Sequence, residues 1–249
     1  MKTIKVKDVI IGEGIPKIAV SIIGTTIEEI LEILENIDRE KVDIVEWRAD
    51  YFESVFNPKR VLETLKLIRK SLIDIPIIFT LRTLDEGGEK KIDIDYYTFL
   101  NKEIAASGDA DLIDIQVFLN KEKVMENIEN ISKENVFIIG SNHDFNKTPK
   151  KEDMINRLKF MESLGVDIFK LAVMPCSPAD VLDLLSVTDT MKKLTNNPIV
   201  TISMGSLGTI SRISGETFGS SITFGAIGKV SAPGQISVEK LFNILQSIH

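Results

Sequence analysis

The feature that most constrains this chain is a regular alternation of short apolar runs with longer segments in which apolar residues recur at helical spacing. Short apolar runs between turn residues are typical of buried strands, and the longer pattern is typical of amphipathic helices. The sequence predicts eight core strands, at residues 17–23, 42–48, 76–81, 112–117, 136–143, 167–173, 198–203 and 221–224. Strands that alternate with helices in this way form a parallel sheet.

Helices are predicted between and after these strands. Their ranges are 26–37, 58–72, 95–106, 121–132, 150–164, 179–194, 207–214 and 238–248. Asn57-Pro58 and Thr148-Pro149 are expected to open the second and fifth helices, because Asn and Thr cap helices and Pro fits the first turn. The 249 residues match the roughly 250 of one barrel of eight strands and eight helices. We therefore predict an α/β protein with one domain, residues 1–249, folded as a (β/α)8 or TIM barrel.

An open, doubly wound sheet would show the same alternation. Its dinucleotide-binding form carries a glycine-rich turn after an early strand, whereas this chain has only Gly24-Thr25-Thr26 at that point. Eight repeats of the unit favour a closed barrel. Ahead of the first core strand, residues 3–6 and 9–11 alternate like a β-hairpin, which we expect to close the bottom of the barrel.

The charge of the chain argues against two classes of partner. A net charge of −7 leaves no broad basic surface for nucleic acid or for an anionic membrane. No apolar run approaches the length of a membrane span, residues 1–6 do not resemble a signal peptide, and the lone Cys176 cannot form an internal disulfide. We expect a cytoplasmic protein that acts on a small molecule.

Polar residues lie in or just beyond the later part of several predicted strands, where barrel enzymes carry their active sites. They are Ser21, Glu46, Arg48, Arg82, Gln116, His143 and Lys170. Glu46 and Arg48 are two residues apart on a strand and therefore share one face, while Trp47 takes the other. The pair could bind a ligand or form a structural ion pair at the mouth of the barrel.

Lys170 is the most informative of these residues because it lies inside an apolar strand. A buried amine can attack a carbonyl carbon and form a Schiff base. The structural alternative is an ion pair with a buried carboxylate such as Glu46 or Asp114.

His143 suits proton transfer, although an isolated histidine is more often a satisfied core residue. The other histidine is His249, so the chain lacks a zinc constellation, which leaves only an acidic magnesium site open.

Two glycine-containing loops follow the last strands. In the loop at residues 205–212, Arg212 could hold a carboxylate through two hydrogen bonds, or the loop could bind phosphate. The loop at residues 231–235 has the composition of a polar lid, or is an ordinary connection into the final helix.

Glu86, in the polar turn at residues 85–89, becomes a candidate only if the fold brings it beside His143.

Several strings, distributed over nearly the whole chain, carry a family resemblance. They are Glu46-Trp47-Arg48, Ser141-Asn142-His143-Asp144-Phe145, Lys170-Leu171-Ala172-Val173-Met174-Pro175, Ser203-Met204-Gly205 with the later Ser211-Arg212, and Ser231-Ala232-Pro233-Gly234-Gln235. In order and spacing these strings resemble the type I 3-dehydroquinate dehydratases.

The resemblance implies a role for each candidate residue. Lys170 would form the Schiff base, His143 would be the general acid and base, and Glu86 would orient the histidine. Substrate binding would fall to two groups. The group at the substrate carboxylate and its lid is Arg212, Ser231 and Gln235. The group around the ring hydroxyls and the carbonyl is Ser21, Glu46, Arg48 and Arg82.

The implied reaction is a syn elimination of water from 3-dehydroquinate that gives 3-dehydroshikimate, in the shikimate pathway to chorismate and the aromatic amino acids. It needs no metal or other cofactor, and the family implies a homodimer. One alternative is a Schiff-base class I aldolase on the same barrel, because a strand lysine by itself does not separate elimination from carbon–carbon cleavage. The other is a non-catalytic barrel that binds a carboxylated metabolite.

Overall fold

The computed structural model describes residues 2–228 and 230–249. Within these ranges a short N-terminal hairpin precedes eight core strands, which lie where the sequence predicts them. The hairpin strands are β1 (Ile4–Val6) and β2 (Val9–Ile11). The core strands are β3 (Lys17–Ile22), β4 (Ile44–Arg48), β5 (Ile77–Thr80), β6 (Leu112–Gln116), β7 (Phe137–Asp144), β8 (Ile168–Val173), β9 (Ile199–Ser203) and β10 (Ile222–Gly225).

The eight core strands form one parallel sheet that closes on itself. Each of β3 to β8 pairs with the next strand along the chain, and β10 pairs back onto β3. At the remaining seam, the Ser221 N–H donates to the Ile199 carbonyl oxygen at 2.8 Å, and Ser220 forms a parallel bridge with the same residue. The predicted barrel, with its separate N-terminal hairpin, is confirmed.

Helices follow the strands around the outside of the barrel. They are α1 (Ile27–Glu35), α2 (Pro58–Ser71), α3 (Ile94–Ser107), α4 (Lys121–Ile131), α5 (Lys151–Ser163), α6 (Pro178–Leu194), α7 (Ile210–Ile213), α8 (Gly215–Phe218) and α9 (Val238–Ile248). The Asn57 side chain caps α2 by accepting from the Arg60 N–H, as predicted. None of the helices in the described ranges combines the length and the hydropathy that a membrane crossing requires.

Two of the helix predictions need correction. The helix expected at residues 207–214 is a 3-10 turn (Leu207–Thr209) followed by the short α7, because the backbone leaves the helical conformation at Ser214, and the separate α8 begins at Gly215. The Thr148 hydroxyl does not cap α5, since it donates instead to the Met174 carbonyl oxygen at 3.1 Å. Lys150 occupies the cap position without a side-chain hydrogen bond.

Two apolar clusters lie on the two faces of the sheet. The outer cluster fills the space between strands and helices, and it contains Trp47, which packs edge-on against Phe52 and Phe79. The inner cluster joins the hairpin to inward residues near the strand starts: Ile4, Val6, Ile11, Ala19, Ile44, Ile78, Leu112, Ile139, Ile168, Val200 and Ile222. The hairpin therefore packs against the N-terminal ends of the strands.

The strand register determines what lies above this apolar floor. Because side chains alternate between faces, the inward residue two positions further along each strand forms the next layer. In that layer Ser21 is paired in register with Glu46, Thr80 with Asp114, and Ser141 with Lys170. The upper half of the barrel interior is consequently polar and buried.

Candidate active site

A cavity opens at the C-terminal ends of the strands, directly above the polar layer. Its empty volume, which includes the part open to solvent, is about 480 Å³. It is lined by Glu46, Arg48, Arg82, Glu86, Gly87, His143, Phe145, Lys170, Ala172, Ile202, Met204, Arg212, Phe224, Ser231, Ala232 and Gln235. Nine of the ten predicted site residues are among them, and the tenth, Ser21, donates to the Glu46 carboxylate at 2.6 Å.

Lys170 rises from the middle of β8 into this cavity. Its Nζ lies 3.2 Å from Glu46 Oε1 and 3.0 Å from Asp114 Oδ2, and 4.7 Å from the centre of the Phe224 ring. The side chain is only 4% exposed as a whole residue. Both ion pairs that the structural alternative named are therefore present, and they hold the amine at the floor of the cavity.

The two carboxylates beneath Lys170 remain ionised at neutral pH. Burial on its own would raise the pKa of each, but the neighbouring cations outweigh that effect. Lys170 and then Arg48 lower the pKa of Glu46 to about 2. Arg82 and then Lys170 hold the pKa of Asp114 well below its ordinary range. The Nζ of Lys170 thus faces two negative charges.

His143, from the end of β7, forms a close pair with Glu86. The Glu86 Oε2 atom lies 2.9 Å from His143 Nδ1 and also accepts from the His143 backbone N–H at 2.9 Å. Glu86 belongs to a 3-10 turn that follows β5, so the fold brings together residues 57 positions apart. An ionised carboxylate only accepts hydrogen bonds, so Nδ1 carries the proton and Nε2 keeps its lone pair.

The environment of His143 favours its neutral form. Burial is the largest cause and Arg82 the next, and together they outweigh Glu86 and lower the pKa of the imidazole from about 6.5 to about 4. A neutral imidazole with a free Nε2 can accept a proton at neutral pH. This is the property that a general base requires.

We expect the imidazole of His143 to titrate near pH 4, which ¹⁵N NMR of the two histidines would measure directly. Between about pH 6.5 and pH 4 the unfolded chain binds a proton at this residue and the folded chain does not. The free energy of unfolding should therefore fall as the pH drops from about 6.5 to about 4, and His143→Gln should lose this part of the slope. A titration midpoint at or above 6.5 would contradict the expectation.

Arg82 and Arg48 line the cavity and form hydrogen bonds with neighbouring polar side chains. Arg82 pairs with Asp114 at 2.9 Å, donates to the Ser141 hydroxyl at 3.0 Å and lies 3.6 Å from Glu86. Arg48 forms two hydrogen bonds with Asp50, at 2.8 and 2.7 Å. Glu46 and Arg48 therefore do not form the ion pair that the sequence suggested. Glu46 pairs with Lys170, and Arg48 pairs with Asp50.

Arg212 differs from the other buried cations because no carboxylate accompanies it among residues 2–228 and 230–249. The residue is 2% exposed. Its guanidinium donates to the carbonyl oxygens of Pro233 at 3.0 Å and Phe224 at 3.4 Å, while Nε has no partner in the described structure. Burial lowers the pKa of Arg212 to about 10, which still leaves it charged at neutral pH. A buried cation of this kind calls for an anionic ligand.

The loop at residues 231–235 covers one side of the cavity. The Ser231 hydroxyl donates to that of Ser21 at 3.0 Å, and the Gln235 amide bonds the Ser231 backbone N–H and hydroxyl. Gly234 has a positive φ of 79°, and a Cβ there would lie 2.2 Å from the Gly205 carbonyl oxygen. Only glycine lets the two loops approach this closely.

Some residues at the site were not among the sequence predictions, and one candidate lies elsewhere. Asp114 appeared only as a structural partner of Lys170, although its spacing from Gln116 in β6 places both on one face. Asp50 lies outside a core strand, and no sequence pattern marks it. Gln116 bonds the Thr83 backbone and hydroxyl instead of lining the cavity.

Comparison with known proteins gives a consistent result. The sequence model of the family described as Type I 3-dehydroquinase matches residues 18–249. The 3-dehydroquinate dehydratase of Clostridioides difficile strain 630 is 49% identical over 249 residues, covering 100% of this chain and 98% of the relative. That of Clostridium kluyveri is 49% identical over 247 residues, covering 98% and 97%.

Solved structures agree with the sequence comparison. The type I enzyme of Clostridium difficile, crystallised with covalently modified comenic acid, superposes with a TM-score of 0.96 at 48% identity, covering 100% of this chain and 98% of that one. The enzyme of Enterococcus faecalis superposes with a TM-score of 0.91 at 40% identity, and covers 99% of both chains. The chain belongs to the type I 3-dehydroquinase family.

Proposed function

We propose that this protein is a hydro-lyase that removes water from 3-dehydroquinate to give 3-dehydroshikimate. One observation carries the proposal: Lys170, the neutral His143 and Arg212, a buried cation without a carboxylate partner in the described residues, line a single cavity. The first is a nucleophile, the second a base, and the third a site for a carboxylate. The direct test is to incubate the purified protein with 3-dehydroquinate and follow the ultraviolet absorbance of the conjugated product. A folded protein that forms no product would overturn the proposal.

The first chemical step joins Lys170 to the substrate. The amine attacks the ketone carbon, and loss of water leaves a positively charged iminium. Glu46 and Asp114 stay ionised and lie within hydrogen-bond distance of Nζ, so the positive charge of the iminium develops beside two carboxylates. An iminium accepts the electron pair of the adjacent carbon better than a ketone does, and that carbon becomes acidic.

His143 then moves the protons. Its free Nε2 accepts the proton from the carbon next to the iminium, and the imidazolium returns a proton to the hydroxyl that leaves from the neighbouring carbon. Glu86, hydrogen-bonded to Nδ1, stabilises the imidazolium between the two events. Hydrolysis of the conjugated iminium releases the product and restores the Lys170 amine. The balance is the loss of one water molecule.

A single base that serves both proton steps requires both groups to leave from one face of the ring. We therefore propose a syn elimination, which a stereospecifically labelled substrate would test. The remaining wall residues, Ser21, Glu46, Arg48 and Arg82, would contact the ring hydroxyls and carbonyl. The loop with Ser231 and Gln235 would act as a lid that excludes water.

Arg212→Met is expected to weaken substrate binding, because the substrate carboxylate would lose two charge-assisted hydrogen bonds from the guanidinium. Each hydrogen bond to a charged group contributes about 1.5 to 3 kcal/mol, so the loss of two should lower kcat/KM by at least about 100-fold, mainly through KM. Steady-state kinetics of the variant measure this, with Arg60→Met on the exposed face of α2 as the control. A normal KM in Arg212→Met would assign the carboxylate to another residue.

The alternative of a Schiff-base aldolase is not favoured. The curated relatives that match nearly the whole chain are dehydratases. Turnover of a phosphorylated aldehyde, with no turnover of 3-dehydroquinate, would reverse this preference.

Further parts of the proposal concern the cell and the assembly. We propose a place in the shikimate pathway, a cytoplasmic location and a homodimer of one-domain subunits, as the family resemblance implies. Partly exposed apolar side chains such as Phe99 on α3 and Met125 on α4, both 45% exposed, are available to a second copy. Sedimentation analysis tests the dimer, and cell fractionation tests the location.

A further inference from the structure

A chain of polar contacts runs from the surface of the barrel to the His143–Glu86 pair, on the side away from the cavity. The Arg157 Nη1 donates to Asn142 Oδ1 at 2.7 Å. The Asn142 Nδ2 donates to Glu86 Oε1 at 3.1 Å, and the other oxygen of Glu86 binds His143. Glu86 therefore has one oxygen for the histidine and one for the asparagine.

The chemistry of Arg157 fixes the orientation of the Asn142 amide. A guanidinium has no acceptor, so the amide atom that faces it must be the oxygen. The amide NH₂ then necessarily faces Glu86. With the opposite orientation, an NH₂ would meet the guanidinium and an oxygen would meet the carboxylate, which are two repulsive contacts.

The groups around Arg157 leave the Asn142 amide as its partner at short hydrogen-bond distance. Asn142 is 8% exposed, whereas the Arg157 side chain is 27% exposed in a groove at the surface. Asp144, the nearest carboxylate to Arg157, is 3.8 Å away, and its Oδ1 accepts from the backbone N–H groups of Asn146 and Lys147. Arg157 therefore makes its close hydrogen bond with the Asn142 amide.

We propose that Asn142 is a positioning residue for the elimination, which holds Glu86 so that His143 keeps its proton on Nδ1, and that Arg157 acts through Asn142. The inference rests on the proposed function only for its effect on turnover. Without Asn142 the Oε1 of Glu86 loses its hydrogen bond, and only the contacts of Oε2 with the His143 backbone N–H and Arg82 hold the carboxylate, which can then turn out of line with Nδ1. The imidazole can then adopt the other tautomer, whose Nε2 carries a proton and cannot act as the base.

The first test measures the tautomer without substrate. In ¹⁵N NMR at neutral pH, with His249→Asn to leave one histidine, Nδ1 of His143 should carry the proton in the parent protein. Asn142→Ala should give a mixture of the two tautomers, and Arg157→Met a smaller shift in the same direction. A pure Nδ1–H tautomer in Asn142→Ala would overturn the proposal.

The second test measures turnover. Displacement of a catalytic group by about 1 Å can cost about 100-fold, so Asn142→Ala should lower kcat by about 10- to 100-fold and leave KM within about twofold. Arg157→Met should lower kcat less, and Arg157→Lys, which still donates only, should restore most of that loss. The double variant should resemble Asn142→Ala alone, because the effects of residues in one chain of contacts are not additive.

Controls separate positioning from general damage. Asn146→Ala removes an exposed asparagine from the same groove, and Lys159→Met removes an exposed cation from the same helix, so both should keep the parent kcat and tautomer. Additive losses in the double variant would refute the action of Arg157 through Asn142. If Asn142→Ala does not fold, Arg157→Met tests the same chain of contacts from its surface end. A parent protein without turnover would contradict the proposed function alone, since the tautomer is measured without substrate.

Discussion

Lys170→Ala is expected to abolish turnover and the covalent adduct together. Without Nζ the substrate ketone must itself accept the electron pair that proton loss releases, so kcat should fall on the order of 10⁶-fold, as when a covalent nucleophile is lost. The measurement is mass spectrometry after incubation with 3-dehydroquinate and borohydride, alongside the product absorbance. The parent protein should gain one reduced adduct that maps to Lys170.

The stability of this variant must be measured as well. Removal of Lys170 leaves Glu46 and Asp114 buried without the cation that lies between them, and loss of one partner from a buried ion pair costs about 3 to 5 kcal/mol. Lys170→Met keeps the apolar stem and provides a second folded variant. Lys147→Ala, in the exposed turn after β7, is the matched control and should keep adduct and activity. An adduct on another lysine, or turnover by a folded Lys170 variant, would contradict the mechanism.

His143→Gln is expected to separate the two chemical stages. The glutamine amide can still donate to Glu86, but it provides no base, so kcat should fall between about 10²- and 10⁴-fold. Lys170 is untouched and should still form the Schiff base. Borohydride should therefore trap the intact substrate on Lys170 in this variant, while product formation nearly stops.

The masses of the trapped species make this result decisive. An adduct with the mass of the unreacted substrate places His143 after Schiff-base formation, as proposed. An adduct with the mass of the dehydrated product would show that another group performs the elimination. His249→Gln removes the other histidine, which pairs with Glu216 at the exposed C-terminal helix, and should leave both the kinetics and the adduct unchanged.

The ion pairs of Lys170 are compatible with a catalytic role. They position Nζ at the cavity floor, and they place two negative charges where the proposed iminium would carry its positive charge. Preorganised charges of this kind contribute much of the rate enhancement in many enzymes. The contacts of Lys170 with Glu46 and Asp114 can therefore serve both the structure and the proposed chemistry.

The sequence by itself was sufficient to predict the strands, the barrel and the end of the barrel at which the site lies. Apolar runs of strand length repeat eight times, and polar residues interrupt them at positions that period-two alternation turns inward. Lys170 and Glu46 could be placed in one cavity for this reason. For the loop residues Arg212, Ser231 and Gln235 the residues themselves left alternatives open, and the family resemblance, rather than periodicity, chose among them and gave Glu86 its role.

Only the tertiary structure decided which of these groups touch. Glu86 meets His143 across 57 residues, and Arg157 reaches Glu86 only through Asn142, which points away from the cavity in β7. Arg48 takes Asp50 as its partner rather than Glu46. Such contacts depend on strand register and on the paths of loops, which are set by packing between distant segments. Local patterns fix the face on which a side chain lies, and the closed barrel fixes its neighbour.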